Sequence, residues 1–274
     1  MKKPSVSFAV ASTVVCLTSI ASAAGWVMTT VTGSNLVGET HVVKAGLVKS
    51  TALQSFSFEF SNGDHKIRKI GLLPSVDRVD VAMTDNDGGD PFKFNAQYAT
   101  IPWSASSTRV SKSCTGPCQL DITHKIASND KMSDQVFVLR GFSFEREGTD
   151  TNVRRISSRP NVSQKKIDVI YKDNAATKYT VTIEYTLLGK DLLLPVATAT
   201  GARKNNEETL KVSTTKAPGA QAILQGFDVE FDNGDHHLKQ FAIKRTKGAY
   251  NVMFNDQNTD DPYRVTIDYA GVKD

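Results

Sequence analysis

The sequence predicts an all-β protein composed of three tandem β-sandwich domains of about 85 residues each, produced by an internal repeat. Three observations predict this fold class. Apolar and polar residues alternate at a period of two along many short segments, and turn residues such as Asn-Gly and Gly-Pro separate those segments. One block of sequence recurs along the chain. Beyond the N-terminal segment, no stretch of about ten residues has the 3.6-residue periodicity of a helix.

The N-terminal segment, residues 1–24, has the pattern of an export signal. Lys2 and Lys3 precede a largely apolar stretch, and residues 21–23 are the small residues that signal peptidase requires. The apolar stretch is shorter than the roughly 18 residues of a membrane anchor, and Ser and Thr interrupt it. We therefore expect cleavage, export to the periplasm or the extracellular space, and a mature chain without a transmembrane anchor.

Residues 25–104 form the first predicted domain. Phenylalanines alternate with polar residues from Phe56 to Phe60, Asn62-Gly63 follows, and a second alternating run begins after it. Asn-Gly between two alternating runs is the usual signal of a tight β-hairpin, because both residues accept positive φ angles. Another strand pair is expected around the acidic loop "DNDGGDP" at 85–91.

Residues 105–190 form the second predicted domain, a degenerate copy of the first. The segment "LRGFSFEREGTDTNVRRI" starting at Leu139 matches "LQSFSFEFSNGDHKIRKI" starting at Leu53, but it lacks the Asn-Gly-Asp-His phrase and a comparable acidic loop. This copy is instead basic, which indicates either a solvated charged face on a spacer or a dock for an acidic partner. Its basic residues are Arg140, Arg146, Arg154, Arg155, Arg159, Lys165 and Lys166.

The second domain also contains the two cysteines that lie beyond the signal. Cys114 and Cys118 stand in "CTGPC". In an oxidising compartment this spacing predicts a small-loop disulfide across a Gly-Pro turn, whereas a metal site would need further ligands nearby.

Residues 191–274 form the third predicted domain. Residues 224–270 align with residues 53–99 without a gap, and about fifteen of the roughly 47 positions are identical. The phrase "FDVEFDNGDHHLKQF" of this domain corresponds to "FSFEFSNGDHKIRKI" of the first. The acidic loop returns as "DQNTDDP", so the first and third domains are expected to carry matched sites.

Three interpretations of the repeated phrase and loop remain open. The residues form turns for conformational reasons alone, or carboxylates at alternating spacing hold a calcium or other divalent ion, or Asp and His bind ligand hydroxyl groups directly. The candidate metal ligands are Asp85, Asp87 and Asp90 in the first domain and Asp256, Asn258, Asp260 and Asp261 in the third. The candidate ligand-binding residues are Asp64, His65, Phe92, Asp235, His236 and Tyr263.

Charge and motifs exclude several classes of function. The net charge of +4 includes the two lysines of the signal, so the mature chain is nearly balanced, which argues against a nucleic-acid binder. No G-x-S-x-G, H-E-x-x-H or Gly-rich phosphate loop is present. A hydrolase using Asp64 with Asp85, or Asp235 with Asp256, is a weaker alternative that needs an open cleft.

The resulting functional prediction is an exported, non-catalytic and multivalent protein that recognises a glycan or a cell-surface protein, with calcium as the candidate cofactor. The alternative is a structural or assembly component of the cell envelope. The two differ in a testable way. A sugar binder should expose Phe92 or Tyr263 beside the acidic loops, whereas a structural protein should bury both rings and form oligomers, and the sequence does not determine the oligomeric state.

Overall fold

The structure is a computed structural model that describes residues 14–21, 26–38, 40–47, 51–85, 88–101, 107–122, 135–148, 151–173, 177–190, 193, 196–204, 209–214, 222–256 and 261–271. These residues form nineteen β-strands and one short 3₁₀ turn, which confirms the all-β prediction. Within these ranges no helix is long and apolar enough to cross a membrane.

Each of the three repeated segments, called units below, contributes six strands in the same order. The first unit contains β2 (Val27–Leu36), β3 (His41–Lys44), β4 (Thr51–Phe60), β5 (Lys69–Ser75), β6 (Arg78–Thr84) and β7 (Phe92–Thr100). The second contains β8 (Ser107–Thr115), β9 (Cys118–Asp121), β10 (Gln135–Arg146), β11 (Arg155–Asn161), β12 (Lys166–Lys172) and β13 (Lys178–Gly189). The third contains β14 (Ala197–Arg203), β15 (Leu210–Ser213), β16 (Ala222–Phe231), β17 (Gln240–Thr246), β18 (Ala249–Asn255) and β19 (Tyr263–Gly271). The 3₁₀ turn is Val162–Gln164.

The units share their sheets. Strands β2-β7-β4 of the first unit continue into β17-β18-β15 of the third, β8-β13-β10 of the second continue into β5-β6-β3 of the first, and β14-β19-β16 of the third continue into β11-β12-β9 of the second. The strands at the three junctions pair antiparallel. Each unit therefore divides its six strands between two sheets, and the repeat forms an interleaved ring in which no sheet belongs to one unit.

The Asn-Gly phrase does not form the predicted hairpin. β4 and β5 lie in different sheets, as do β16 and β17, so the chain after Phe60 or Phe231 crosses to a neighbouring sheet. Gly63 and Gly234 have positive φ angles of 135° and 134°, but the preceding asparagines do not, and a type I′ turn would need both. The phrase therefore begins a crossover between sheets.

The three crossovers bind one another at one end of the molecule. Isolated antiparallel bridges join His65 to Leu238, Ile67 to Thr151, and Val153 to His236. These bridges satisfy backbone groups that a hairpin would have paired within one unit. As a result, the Asn-Gly-Asp-His phrases of the first and third units lie at the same end.

A single large apolar core lies between the sheets and includes residues from all three units. At its centre, Phe56, Phe142 and Phe227 occupy equivalent positions on β4, β10 and β16. The ring centroid of Phe142 lies 5.0 Å from that of Phe56 and 5.0 Å from that of Phe227. The centroids of Phe56 and Phe227 are 5.6 Å apart. These edge-to-face and tilted contacts pack three strands of different units against each other.

One strand lies outside the repeat. β1 (Val14–Ala21) pairs with β2 and makes that sheet seven-stranded, whereas the other two sheets have six strands each. β1 falls inside the segment that the sequence predicts to be cleaved. Without it, the three sheets would have the same number and order of strands, so the repeated fold is complete in residues beyond the predicted signal.

Candidate functional site

In the first unit, the crossover and the acidic loop meet at a cluster of three side chains, called here the first His-Asp-Asp site. His65 Nδ1 lies 2.9 Å from Asp90 Oδ2 and 3.5 Å from Asp85 Oδ2. On the other side of the ring, His65 Nε2 is 3.2 Å from Asn62 Oδ1, and Asn62 Nδ2 donates a hydrogen bond to Asp90 Oδ1. A closed set of contacts therefore links the crossover to the loop.

The third unit repeats this arrangement in the second His-Asp-Asp site. His236 Nδ1 lies 3.1 Å from Asp261 Oδ2 and 3.6 Å from Asp256 Oδ2. His236 Nε2 is 3.0 Å from Asn233 Oδ1, and Asn233 Nδ2 donates to Asp261 Oδ1. The two sites thus have the same donors, the same connections and nearly the same distances, although they are separated by about two thirds of the chain.

Both imidazoles are held against buried phenylalanine rings. His65 lies with its ring centroid 4.6 Å from that of Phe60, and His236 lies 4.6 Å from Phe231. The phenylalanines are the last residues of β4 and β16, so the strand end fixes the plane of each imidazole. The side chains of His65 and His236 are 20% and 18% exposed, and the sites are therefore open to ions from solvent.

The hydrogen bonds define which imidazole nitrogen carries a proton. Because the Asn62 amide nitrogen donates to Asp90, its carbonyl oxygen faces His65 and accepts a hydrogen bond from Nε2–H. His65 Nδ1 faces two carboxylates. In the neutral ring, Nδ1 carries the lone pair. It can offer that lone pair to a cation bound between the carboxylates, or accept a hydrogen bond from Asp85 when that carboxyl is protonated.

The two carboxylates of the first site differ in proton affinity. Burial raises the pKa of Asp85, and its hydrogen bond with Asp90 raises that pKa further. Burial also acts to raise the pKa of Asp90, but hydrogen bonds from Asn62 and Asp85 and the charge of His65 outweigh it and lower that pKa. Asp90 therefore remains ionised, while Asp85 holds a proton to higher pH than an ordinary aspartate.

The donor set of each site fits a divalent cation. In each, one imidazole nitrogen and two carboxylate oxygens lie within 4.8 Å of one another. Nitrogen together with carboxylate oxygen suits ions such as Zn²⁺ and Mn²⁺, whereas Ca²⁺ in proteins takes oxygen ligands. The second imidazole nitrogen donates to an asparagine oxygen, which is the outer contact that metal-binding histidines usually make.

Some predicted site residues lie elsewhere. Asp87, Asn258 and Asp260 are outside the described residues. Asp64 is not one of the three donors at the first site. Its Oδ1 lies 3.9 Å from Nδ1 of His237, which follows His236 in the third unit. Asp235 holds the corresponding crossover position in the third unit and is not one of the three donors there.

Phe92 and Tyr263 are not ligand-binding surfaces. Both side chains are 0% exposed, and the Tyr263 hydroxyl donates to the Val252 carbonyl at 2.7 Å. They are the first residues of β7 and β19, where their rings point into the core, so neither ring can stack on a sugar. The prediction of exposed rings beside the acidic loops is therefore corrected.

The middle unit has an internal cation at the equivalent place. Arg146 stands at the end of β10, where the other units have phenylalanine, and its Nη2 lies 3.0 Å from Asp173 Oδ2. Asp173 follows β12 as Asp85 follows β6, and Thr177 donates to it at 3.2 Å. The Arg146 side chain is fully buried, so a guanidinium neutralises the carboxylate that remains in this unit.

The other basic residues of the middle unit do not form the solvated face that the sequence indicated. Arg140 is 2% exposed and paired with Glu184. Arg155 and Arg159 make two hydrogen bonds each to a carboxylate of the third unit. These pairs connect the two halves of the sheet that contains β11 and β16, so most of the basic charge serves contacts between units.

The predicted disulfide is confirmed. Cys114 and Cys118 are bonded, with a Cα–Cα distance of 6.0 Å. Cys114 belongs to β8 and Cys118 to β9, which are edge strands of two different sheets. The bond therefore ties one sheet to another across a short turn, in addition to closing the Gly-Pro loop.

Asn62 and Asn233 contact the two His-Asp-Asp sites, and the Arg146–Asp173 pair lies at the equivalent place in the middle unit. None of these four residues was among the candidate site residues predicted from sequence. The asparagines were assigned to turn geometry alone. Asp173 and Arg146 could have been found by extending the alignment of the units through the loop after β12. That extension is hard to see because the middle unit is the degenerate copy of the repeat and has no comparable acidic loop.

Comparisons with known proteins do not assign the chain to a family. No protein-family model matches the chain, and no curated protein matches it. Among solved structures, the chain is similar at 8% sequence identity to the major capsid protein P2 from bacteriophage PM2, over 96% of this chain and 98% of that one, with a TM-score of 0.17. A TM-score this low supports no conclusion about fold or function.

Proposed function

We propose that this chain is an exported, non-catalytic, multivalent binding protein in which each His-Asp-Asp site takes a divalent cation. One observation carries the proposal: the complete cluster occurs twice, in equivalent positions of the first and third units. Turn geometry alone would explain a repeated Asn and Gly, but it would not require a histidine and two aspartates to converge in the same way twice.

The middle unit indicates that a positive charge is needed beside the carboxylate at the equivalent position. There Arg146 supplies a permanent cation beside Asp173. The outer units have two carboxylates each and no arginine at the corresponding strand end. Their compensation must come from a protonated histidine or from a bound ion, and a bound ion supplies it at neutral pH without protonating the ring.

The bound ion would contact the ligand directly. Three protein donors leave coordination positions for ligand oxygens, as in other sites with three protein ligands. Because two such sites lie on one ring of units, a target that reaches both gains from avidity. A glycan or a cell-surface protein is the proposed target class. The donor set favours Zn²⁺ or Mn²⁺, and calcium, the candidate from sequence, is tested beside them.

Titration calorimetry of the mature protein with Mn²⁺, Zn²⁺ and Ca²⁺ tests this proposal. We expect the wild-type chain to bind two equivalents of ion. Each single variant, His65→Ala or His236→Ala, should bind one equivalent, and the double variant should bind none. His237→Ala is the matched control, because this neighbouring histidine is not one of the three donors, and it should retain two equivalents. At a hundred times the Kd, each occupied site should stabilise the fold by about 2.7 kcal/mol, so the single histidine variants should show about half of the wild-type stabilisation.

The absence of binding by all three ions to the wild-type protein would reject the cation proposal. Binding that survives the double histidine variant would place the ion elsewhere in the chain. Asp85→Asn separates binding from folding, because an asparagine oxygen can still accept the Gly88 amide hydrogen bond now made by Asp85. This variant should not bind an ion at the first site. In chelator, its free energy of unfolding should equal that of the wild-type protein.

An envelope assembly role is a second candidate, favoured by a specific observation. Phe92 and Tyr263 are buried, as expected of a structural protein rather than of a sugar-stacking site. β8 is also a nine-residue edge strand with mostly exposed side chains, which offers backbone groups for pairing with another molecule. Light scattering after size-exclusion chromatography at low micromolar concentration distinguishes the two: a defined oligomer supports assembly, and a monomer supports binding.

A further inference from the structure

A cavity of about 660 Å³ opens at the end of the molecule opposite the crossovers, where the second and third units meet. It is called the corner cavity here. Its wall includes Gln135 and Phe137 from the start of β10, Pro160 and Lys165 around the β11–β12 connection, and Gln225 from β16. The cavity is distinct from both His-Asp-Asp sites, because β16 runs from Ala222 near the cavity to Phe231 beside His236.

The wall of the corner cavity contains hydrogen-bond acceptors without partners. Gln225 is 2% exposed, and its Nε2 donates to the Phe137 carbonyl at 2.7 Å. Its Oε1 is buried, and no described group bonds to it; the same holds for Oε1 of Gln135. A buried acceptor left unpaired costs about 1–3 kcal/mol, so a ligand that donates hydrogen bonds to these two oxygens would be stabilised in this cavity.

The equivalent corner, between the first and second units, has a different buried polar side chain. There the position of Gln225 is held by Arg140, which donates to the Thr51 carbonyl and hydroxyl at 3.0 Å each and to Glu184 at 2.6 Å. Arg140 is 2% exposed, and all three of its donor nitrogens bond to these groups. The shorter Gln225 makes one such bond, to the Phe137 carbonyl, and its Oε1 has no partner among the described residues.

The charges around the corner cavity favour an anion. Asp268, the one carboxylate of the lining, accepts two hydrogen bonds from Arg159 and one from Thr198, so its charge is compensated. Lys165 and Lys190 also line the cavity, and neither ammonium group has an ion-pair partner in the part of the chain that the structure describes. The lining therefore has excess positive charge.

Part of the lining is apolar. Val196 is 47% exposed, and Pro160, from the other half of the sheet, also lines the cavity. These three features of the lining suit one class of ligand. The buried acceptors match hydroxyl donors, the two lysines match an acidic group, and the apolar patch matches the C–H face of a sugar ring. The cavity volume is in the range of small-molecule sites.

We propose that the corner cavity binds an acidic saccharide, a sugar unit with a carboxylate. Its hydroxyls donate to Gln135 Oε1 and Gln225 Oε1, its carboxylate lies near the two lysines, and its ring packs on Pro160 and Val196. This inference rests on the proposed binding function and names a ligand class for it. It does not depend on the cation sites, which lie at the other end.

Calorimetric titration with glucuronate, galacturonate and N-acetylneuraminate in excess chelator tests the inference. Saturable binding of at least one is expected, with affinity about tenfold or more above that of the neutral sugars glucose and galactose. Gln225→Leu should lose about tenfold, since an acceptor to the ligand is removed. The exposed Lys190→Gln, which leaves the core intact, should lose affinity for the acidic sugar and reduce its salt dependence.

The matched control is Gln54→Leu, because Gln54 holds the position of Gln225 in the first unit and does not line the corner cavity; its affinity should equal that of the wild type. No saturable binding of any acidic sugar overturns the inference, and so does binding that is unchanged in both Gln225→Leu and Lys190→Gln. Equal binding of acetate would show a simple anion site and overturn it too. Cation binding without saccharide binding rejects this inference alone, and the reverse result rejects the cation sites alone.

Discussion

Three arginines are among the largest fully buried side chains of the protein: Arg140, Arg146 and Arg203. Each has charged or polar partners. Arg140 pairs with Glu184, Arg146 pairs with Asp173, and Arg203 donates to the Asn255 side chain at 2.8 Å and to a backbone carbonyl. Arg146 and Arg203 also lie over tyrosine rings, at 5.0 Å and 4.8 Å from the centroids. Burial of such groups is tolerated only with these partners.

Replacement of one partner should therefore be costly. Arg146→Met leaves Asp173 buried without its cation, and we expect a loss of about 3–5 kcal/mol in the free energy of unfolding, measured by urea denaturation. The double variant Arg146→Met with Asp173→Asn removes the unpaired charge and should recover most of that loss. Equal losses in the single and double variants would show that the ion pair does not determine stability here.

At the scale of strands, the same irregularity recurs in β4, β10 and β16. Each has a register shift near its start, between Leu53 and Ser55 in the first and at the equivalent places in the others. The extra residue of each bulge is the buried polar residue Gln54, Arg140 or Gln225. In β10 and β16 a glycine follows, and a Cβ at Gly226 would lie 2.4 Å from the Ser158 carbonyl oxygen.

This close approach predicts the effect of a single methyl group. Gly226→Ala should destabilise the protein by about 1–3 kcal/mol or more, because the contact is with the backbone of β11, which cannot move without disturbing the shared sheet. Ser55→Ala is the control: the first unit already has a Cβ at this position, and the change should cost about 1 kcal/mol or less through its bond to Gln97. Wild-type stability of Gly226→Ala in urea would contradict the described packing of β16 on β11.

The crossovers show how an element can be misread from local signals. Asn62-Gly63 between alternating runs is the usual hairpin pattern, yet β5 pairs with β10 of the second unit. The alternation correctly indicated strands on both sides of the phrase. It carried no information on the partner of each strand, because period-two patterns specify only which face is buried.

At the scale of the whole molecule, shared sheets make the units interdependent. Every sheet joins strands of two units, and one apolar core includes all three. We expect a single unfolding transition in urea, with coincident curves from far-ultraviolet circular dichroism and tryptophan fluorescence. A fragment of residues 191–274 should be unfolded, because its β17 would lack β4. Three separate transitions, or a folded fragment, would instead show independent domains.

The core also predicts behaviour at high pH. All seven tyrosines are buried. Burial raises the pKa of Tyr98, Tyr171, Tyr179 and Tyr250 above the ordinary value of 10.0. A raised pKa in the folded state means that the stability contribution is complete below about pH 10 and is lost as pH rises further.

Phenolate absorbance should therefore appear together with the loss of circular dichroism in an alkaline titration, in one step above pH 10. The unfolded protein in urea is the control, and its tyrosines should titrate near the ordinary value. Ionisation of several tyrosines near pH 10 while the circular dichroism remains native would show that these rings are accessible.

The sequence by itself determined the features that depend on neighbouring residues: the all-β class, the threefold repeat, the Cys114–Cys118 disulfide and the acidic loops. Alternation, turn residues and short spacings are local, and the chain shows them directly. It also pointed to His65 and His236 as residues that turn chemistry does not explain.

Only the tertiary structure decided which strands pair and which side chains meet. It brought His65 to Asp85 and Asp90, and it buried Phe92 and Tyr263. It also left Gln225 beside a cavity with Oε1 unpaired, whereas Arg140 at the equivalent position bonds through all of its donor nitrogens. These outcomes depend on contacts between residues far apart in the chain. Their energies come from shared burial and paired charges across units, and no local pattern encodes the partner of a buried group.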